Sequence, residues 1–231
     1  MFVSIKKKTI LLIALAIITA VSVCLIAYPI ATASAAPKNG KTIVIDAGHG
    51  GVDGGVQGVN TKTKESDINL TIARVLKAEL ESGGYTVVMT RKNSDGLYGL
   101  SSKNKKQKDM ATRRDIIRGA NADLVISIHQ NFYPRSSVRG AQVFYAPGSE
   151  TGKAMADSMQ SIINMNLEAC DRTAMQGDYY VLQCSEVPSL LVECGFLSNP
   201  DDEKLLLDAD YQKKIAYTIY TGINTILSDG L

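Results

Sequence analysis

The 231-residue sequence has no tryptophan, four phenylalanines and only two histidines, His49 and His129. It also lacks a strong charge of either sign, with 25 Lys and Arg against 23 Asp and Glu. The first 36 residues hold three lysines and no acid, so the remainder carries 22 basic against 23 acidic residues, a net of −1. That balance gives polyanion binding no support, and no nucleic-acid partner is expected. Cysteines are scarce: Cys24 lies in an apolar N-terminal run, which leaves Cys170, Cys184 and Cys194. Their spacings form no CxxC pair, which removes zinc knuckles and thioredoxin-like motifs. An odd number argues against a disulfide framework. Packing is the expected role of each, with a Cys170–Cys184 bond as the minor alternative. Nucleotide motifs are missing too: no register of GHGGVDGG (48–55) satisfies G-x-G-x-x-G, and no GxxxxGK[ST] occurs.

What is present begins with an N-terminal targeting pattern. Lys6, Lys7 and Lys8 precede an apolar run over 9–30, followed by ATASAAP with small residues at Ala33 and Ala35. This is the pattern of an export signal. The apolar run exceeds the 7–15 residues typical of a signal-peptide core, so cleavage near Ala35 or Ala36 and retention as a signal anchor both fit. Either way residues 1–36 contact a membrane. Residues 37–231 then form the folded part and work outside the cytoplasm.

From Lys41 onward, short β-rich runs alternate with amphipathic stretches. TIVID (42–46), YTVVMT (85–90), DLVISI (123–128), AQVFYA (141–146) and SLLVEC (189–194) read as strands, several continuous and apolar as in a sheet buried on both faces. Helical spacing predicts helices over 66–81 with Ser66 as N-cap, over 109–120, over 149–167 and over 209–227. Asn199, Pro200 and the acids Asp201, Asp202 and Glu203 form a strong helix start. The polar, lysine-rich stretch 91–108 reads as a mobile loop. Alternation of this kind predicts a single α/β domain with a mostly parallel twisted sheet flanked by helices on both faces.

Ligands of such sheets bind beyond the carboxyl ends of the strands. Three ionisable residues fall there: His49 after TIVID, His129 after DLVISI, and Glu193 at the end of SLLVE. Glu65 sits before the Ser66 cap, where a helix N-terminus favours the ionised carboxylate that a metal ligand requires. Two imidazoles and a carboxylate are the protein ligands of several catalytic zinc sites. Glu193 would be the fourth functional group, taking a proton from an activated water and passing it to a leaving amine. A lone histidine after a strand is more often an ordinary loop or core residue, and Glu65 alone is weak evidence. Glu193 is stronger evidence, because a carboxylate ending an apolar run is costly to bury without a partner. The only two histidines of the chain, both at strand ends, weigh against the ordinary reading. A Cys194 nucleophile is disfavoured because strand alternation points adjacent side chains to opposite faces.

With those residues in place, the chain resembles the zinc-dependent N-acetylmuramoyl-L-alanine amidases. The resemblance rests on IVIDAGHGGVDGG, KESDINL, ADLVISIHQN and VPSLLVECGFLSNP, four separate motifs in family order across nearly all of 41–227. It implies one zinc ion held by His49, Glu65 and His129, Glu193 as the catalytic carboxylate, and peptidoglycan as substrate, cut between N-acetylmuramic acid and L-alanine. SIHQN and GAQVFY are most similar to the germination-specific spore-cortex amidases, which act in making muramic δ-lactam. The His49-to-Glu65 connection of 15 residues has no room for the inserted plug helix of some relatives, and a separate wall-binding domain is not expected. A protein activator is a further expectation. Asn131, Gln130 and Arg114 are candidate substrate contacts, Arg114 equally a loop brace. Asp46 and Asp53 are candidates for hydrogen bonds to the ligand imidazoles or for loop capping. A general vegetative wall amidase, a zinc peptidase or deacetylase of the wall, and a non-catalytic wall-binding protein stay open as alternatives.

Overall fold

The structure is a computed structural model, and it describes Lys8 and residues 39–99, 103–168 and 170–230. The stretch 1–36, expected to be an export signal or anchor, lies outside the described residues apart from Lys8. Among those described, no helix is long and apolar enough to cross a membrane.

Six strands form one sheet: β1 (Thr42–Ala47), β2 (Thr86–Met89), β3 (Leu124–Asn131), β4 (Gln142–Tyr145), β5 (Met175–Gln176) and β6 (Ser189–Phe196). Their spatial order is β2-β1-β3-β6-β4-β5. β2, β1, β3 and β6 run parallel, whereas β4 pairs antiparallel with β6 and carries β5 alongside it. The apolar runs belong to strands covered on both faces, and alternate side chains enter two separate cores. Ile43 and Ile45 join one, Val44 the other.

Six helices are described: α1 (Glu65–Ser82), α2 (Lys105–Gly119), α3 (Glu150–Asn166), α4 (Tyr180–Gln183), α5 (Pro200–Leu206) and α6 (Ala209–Ser228). α1, α3 and α6 cover the first face through Leu76, Met159 and Ile219, while Ile117 of α2 and Val181 of α4 cover the second. The α/β class, the mostly parallel sheet and the helices on both faces therefore agree with the sequence pattern. The isoleucine row of α6, at 215, 219, 223 and 226, is buried throughout. Asn199 caps α5 by accepting hydrogen bonds from the Asp201 and Asp202 amides at 3.0 and 2.9 Å.

Three local expectations are corrected. α1 begins at Glu65, and its cap position is Lys64, not Ser66. The glycine-rich loop satisfies its first amides instead, because Glu65 donates to the Val56 carbonyl at 2.9 Å and Ser66 to Gly54 at 3.1 Å. α2 starts four residues earlier than its periodicity suggests, at Lys105. Before it, residues 92–99 are tied down: the Gly51 amide donates to the Ser94 carbonyl at 2.7 Å, and Leu97 donates to the Asp109 carboxylate. The three described cysteines are free and buried, in keeping with a packing role, and Cys170 and Cys184 lie on opposite faces of the sheet, which rules out the minor alternative of a bond between them.

Candidate active site

β1 ends in the glycine-rich turn, and His49 there takes the left-handed conformation at φ 61°, uncommon for a residue with a Cβ. Two buried arginines hold the turn. Arg91 donates to the Ala47 and Gly48 carbonyls at 2.8 and 3.0 Å. Arg113 donates to Ala47 at 2.8 Å and to His49 at 2.5 Å. The conformation is thus over-determined by its surroundings.

Asp53 sits 3.0 Å from His49 Nδ1, leaving Nε2 to face Glu65 Oε2 at 3.3 Å. The other carboxylate oxygen of Glu65 lies 2.9 Å from His129 Nδ1. Glu65 also accepts from the Val56 amide at 2.9 Å, the Gln130 amide at 3.1 Å and the Asn69 side chain at 3.2 Å. Gly48 must be glycine because a Cβ there would lie 2.3 Å from the His129 ring. Gly55 is constrained twice, by φ 67° and by a Cβ position 2.3 Å from Glu65 Oε2.

One ligand atom from each of His49, Glu65 and His129 lies within 4.8 Å of the others, a group that could hold a metal ion. Two imidazole nitrogens and a carboxylate oxygen form a zinc donor set, and bonds of about 2.0–2.2 Å in tetrahedral geometry place donors roughly 3.3–3.5 Å apart. The 3.3 Å between His49 Nε2 and Glu65 Oε2 fits this spacing. Electrostatics point the same way. Burial alone would raise the Glu65 carboxyl, yet hydrogen bonds and charge from His129 and His49 hold it well below the usual carboxylate range. Burial opposes the charged form of His49, and Glu65 with Asp53 outweighs it, moving the imidazole up to about 9. Concentrated negative charge of this kind suits a cation.

Glu193 lies beside His129 across the β3–β6 ladder. It is buried, and its Oε2 has no hydrogen-bond partner. Burial is the main reason its carboxyl rises to about 7; the charge of Glu65 adds to the rise and the imidazoles oppose it. Cys194 points to the opposite face and packs in the first core. A cavity of about 770 Å³ receives His49, Glu65, His129 and Glu193 together, along with Gln130, Asn131, Asp46 and Asp53.

The remaining candidates divide. Asn131 is half-buried at the cavity wall. Gln130 turns behind Glu65, donating to Asn69 at 3.1 Å. Arg114 is not among the lining residues and pairs with its neighbour Asp115 at 2.8 Å. Arg113, one position earlier, faces inward instead. Asp46 bonds no imidazole: it accepts from Thr90 at 2.7 Å, Ser127 at 2.7 Å and Arg113 at 2.6 Å, because alternation along β1 points it at those partners. Asp53 both contacts His49 and caps its loop through the Gly55 amide at 3.1 Å. Sequence reasoning missed Arg91, Arg113 and Tyr98, whose partners lie far along the chain. Asn69 had one signal, its spacing of four residues from Glu65 on one helix face.

Sheet, cavity and the histidine–carboxylate cluster define an α/β enzyme with a metal-capable centre at the carboxyl ends of parallel strands. The N-acetylmuramoyl-L-alanine amidase family model, Amidase_3, matches residues 43–225. The chain belongs to this family and is an N-acetylmuramoyl-L-alanine amidase acting on peptidoglycan. It is 37% identical over 191 residues to the germination-specific N-acetylmuramoyl-L-alanine amidase of Bacillus subtilis (strain 168), covering 81% of this chain and 80% of that one. To LytC of the same organism it is 34% identical, covering 80% of this chain but only 35% of that protein. Among solved structures, the CwlD amidase from Clostridioides difficile in complex with the GerS lipoprotein superposes with a TM-score of 0.77 at 38% identity, covering 81% of this chain and 98% of that one.

Proposed function

We propose that one zinc ion per chain is held by His49, Glu65 and His129, with Glu193 as general base and acid. The observation that carries the reading is the unpartnered Oε2 of buried Glu193, in one cavity with those three ligands. When bound, zinc supplies Lewis acidity, activating a water and polarising the lactyl carbonyl. Glu193 takes the proton of the attacking water, a role suited to a carboxyl raised to about 7. It then delivers that proton to the amide nitrogen of L-alanine as the C–N bond breaks, and the stem peptide leaves with a free amine. Asp53 orients His49 through Nδ1. Asn131 is the substrate contact of the original three candidates that the cavity supports best.

Residues 1–36 act as a signal peptide or anchor ahead of a catalytic domain over 37–231, which places the enzyme outside the cytoplasm at the wall. Identity to a relative named as germination-specific supports a role in the spore cortex, upstream of muramic δ-lactam. Likeness to an amidase solved with a lipoprotein supports a protein activator. Incubating the purified protein with zinc and soluble muropeptides, then weighing the products, tests the reaction. An intact stem peptide with an L-alanine N-terminus is expected. Cleavage within the stem, or released acetate, would replace the amidase reading with a peptidase or deacetylase. Spores lacking the gene should lack muramic δ-lactam; a normal δ-lactam content refutes the cortex role.

A further inference from the structure

Two lysine charges line the cavity without a close carboxylate partner among the described residues. Apart from Glu193, the acids of the cavity are partnered: Asp46 and Asp109 with Arg113 at 2.6 Å each, Glu65 with both histidines, Asp53 with His49 at 3.0 Å and at longer range with the charge of Lys106, and Asp178 with the Gln183 amide at 2.8 Å. Lys105 and Lys106 line the same cavity, and neither forms an ion pair among the described residues. Both lie in the first turn of α2, which holds no acid. The helix dipole disfavours cations there, so helix stability does not explain them. Residues that break a local rule without a structural return are where function is to be sought. Lys105 is also positioned: its ammonium sits 5.2 Å from the centre of the Tyr98 ring, and the Tyr98 hydroxyl accepts from the Val52 amide at 2.9 Å. The cation is thereby tied to the loop that bears His49.

We propose that Lys105 and Lys106 form a subsite for the free carboxylates of the stem peptide, an inference that rests on the amidase reading above. In peptidoglycan the residue after L-alanine is a D-glutamate joined through its γ-carboxyl, so its α-carboxylate is free a few bonds from the scissile amide. A third residue with a carboxylate side group adds another. An uncharged glycan strand offers these lysines nothing comparable. The subsite acts on substrate affinity and register, not on the proton transfers.

The test compares the wild-type protein with the double variant Lys105→Gln, Lys106→Gln on soluble muropeptides in three forms. One form has all carboxylates free, one has the glutamate α-carboxylate amidated, and one has the third residue amidated. On the free form the variant should show KM raised about five- to tenfold with kcat held, as expected for two solvent-facing charge pairs. The difference should shrink at high salt. On one amidated form the two proteins should converge, and that form identifies the carboxylate read. Equal KM on the free form, or an equal loss on all three, overturns the subsite. So does a defect confined to intact walls bearing phosphate polymers, which would assign the lysines to those polymers. Should zinc-loaded wild type, with any activating partner supplied, release no stem peptide from any form, the amidase reading itself fails, an outcome distinct from the others.

Discussion

At the scale of single residues, small changes around His49 carry large consequences, because three side chains and a tight turn converge there. In Gly48→Ala, the new Cβ would fall 2.3 Å from the His129 ring and force it aside. Metal analysis should then find well below one zinc per chain; a full complement would show that His129 is not a ligand. Glu193→Gln keeps shape and removes the proposed base. Zinc should stay bound while turnover of muropeptides drops about 10²- to 10⁴-fold, and unchanged turnover would sink the mechanism. Asp46 serves stability. Burial works to raise its carboxyl, but Arg113, Ser127, His129 and Thr90 outweigh it and lower it from 3.8 to about 2. A carboxyl depressed in the folded state stabilises above its unfolded value and loses that contribution as pH falls through about 2. The lowering corresponds to about 2 kcal/mol. Urea midpoints of Asp46→Asn should therefore fall well below wild type at pH 7 and approach it near pH 2, and a constant gap would contradict this.

At the scale of elements, one contact fastens the loop between His49 and Glu65 to the helix that follows β6, at the carboxyl end of the parallel strands. Glu203 of α5 is buried and accepts from the Asn60 and Thr61 amides at 3.0 and 2.8 Å and from both of their side chains. The sequence marks Glu203 as a first-turn acid of a helix, and electrostatics with that helix would have been explanation enough. Its partners lie more than 140 residues earlier, beyond any periodicity. Glu203→Gln should lower stability by about 1.5–3 kcal/mol, the worth of a charge-assisted hydrogen bond. It should also speed zinc loss to a chelator, since the loop presents Glu65. Wild-type rates of zinc release would confine Glu203 to folding. The same elements show where local signals stop. Periodicity located α6 and the Asn199 cap, but misplaced the cap of α1, whose amides are satisfied by loop carbonyls instead of a side chain.

At the scale of the whole molecule, the proposed zinc site would link metal and fold, because its three residues come from the end of β1, the start of α1 and the end of β3. Zinc at a hundred times its Kd should stabilise the folded chain by about 2.7 kcal/mol, raising Tm by roughly 5–10 °C for a domain of this size. A chelator should reverse it, and a Tm indifferent to zinc would contradict the site. Strand and helix alternation and the buried sheet were legible in the sequence, and so was the set His49, Glu65, His129 and Glu193 that the fold gathers at one cavity. Periods of two and 3.6 report burial locally, and polar groups at the ends of apolar strands stand out against them. Tertiary structure alone decided that β4 runs against β6, that Arg113 and not Arg114 faces the cavity, and that Gly48 must clear a ring 81 positions away. It also decided that Lys105 and Lys106 share a cavity with the catalytic cluster. Those outcomes depend on which distant surfaces pack together, and no repeating pattern along the chain encodes that.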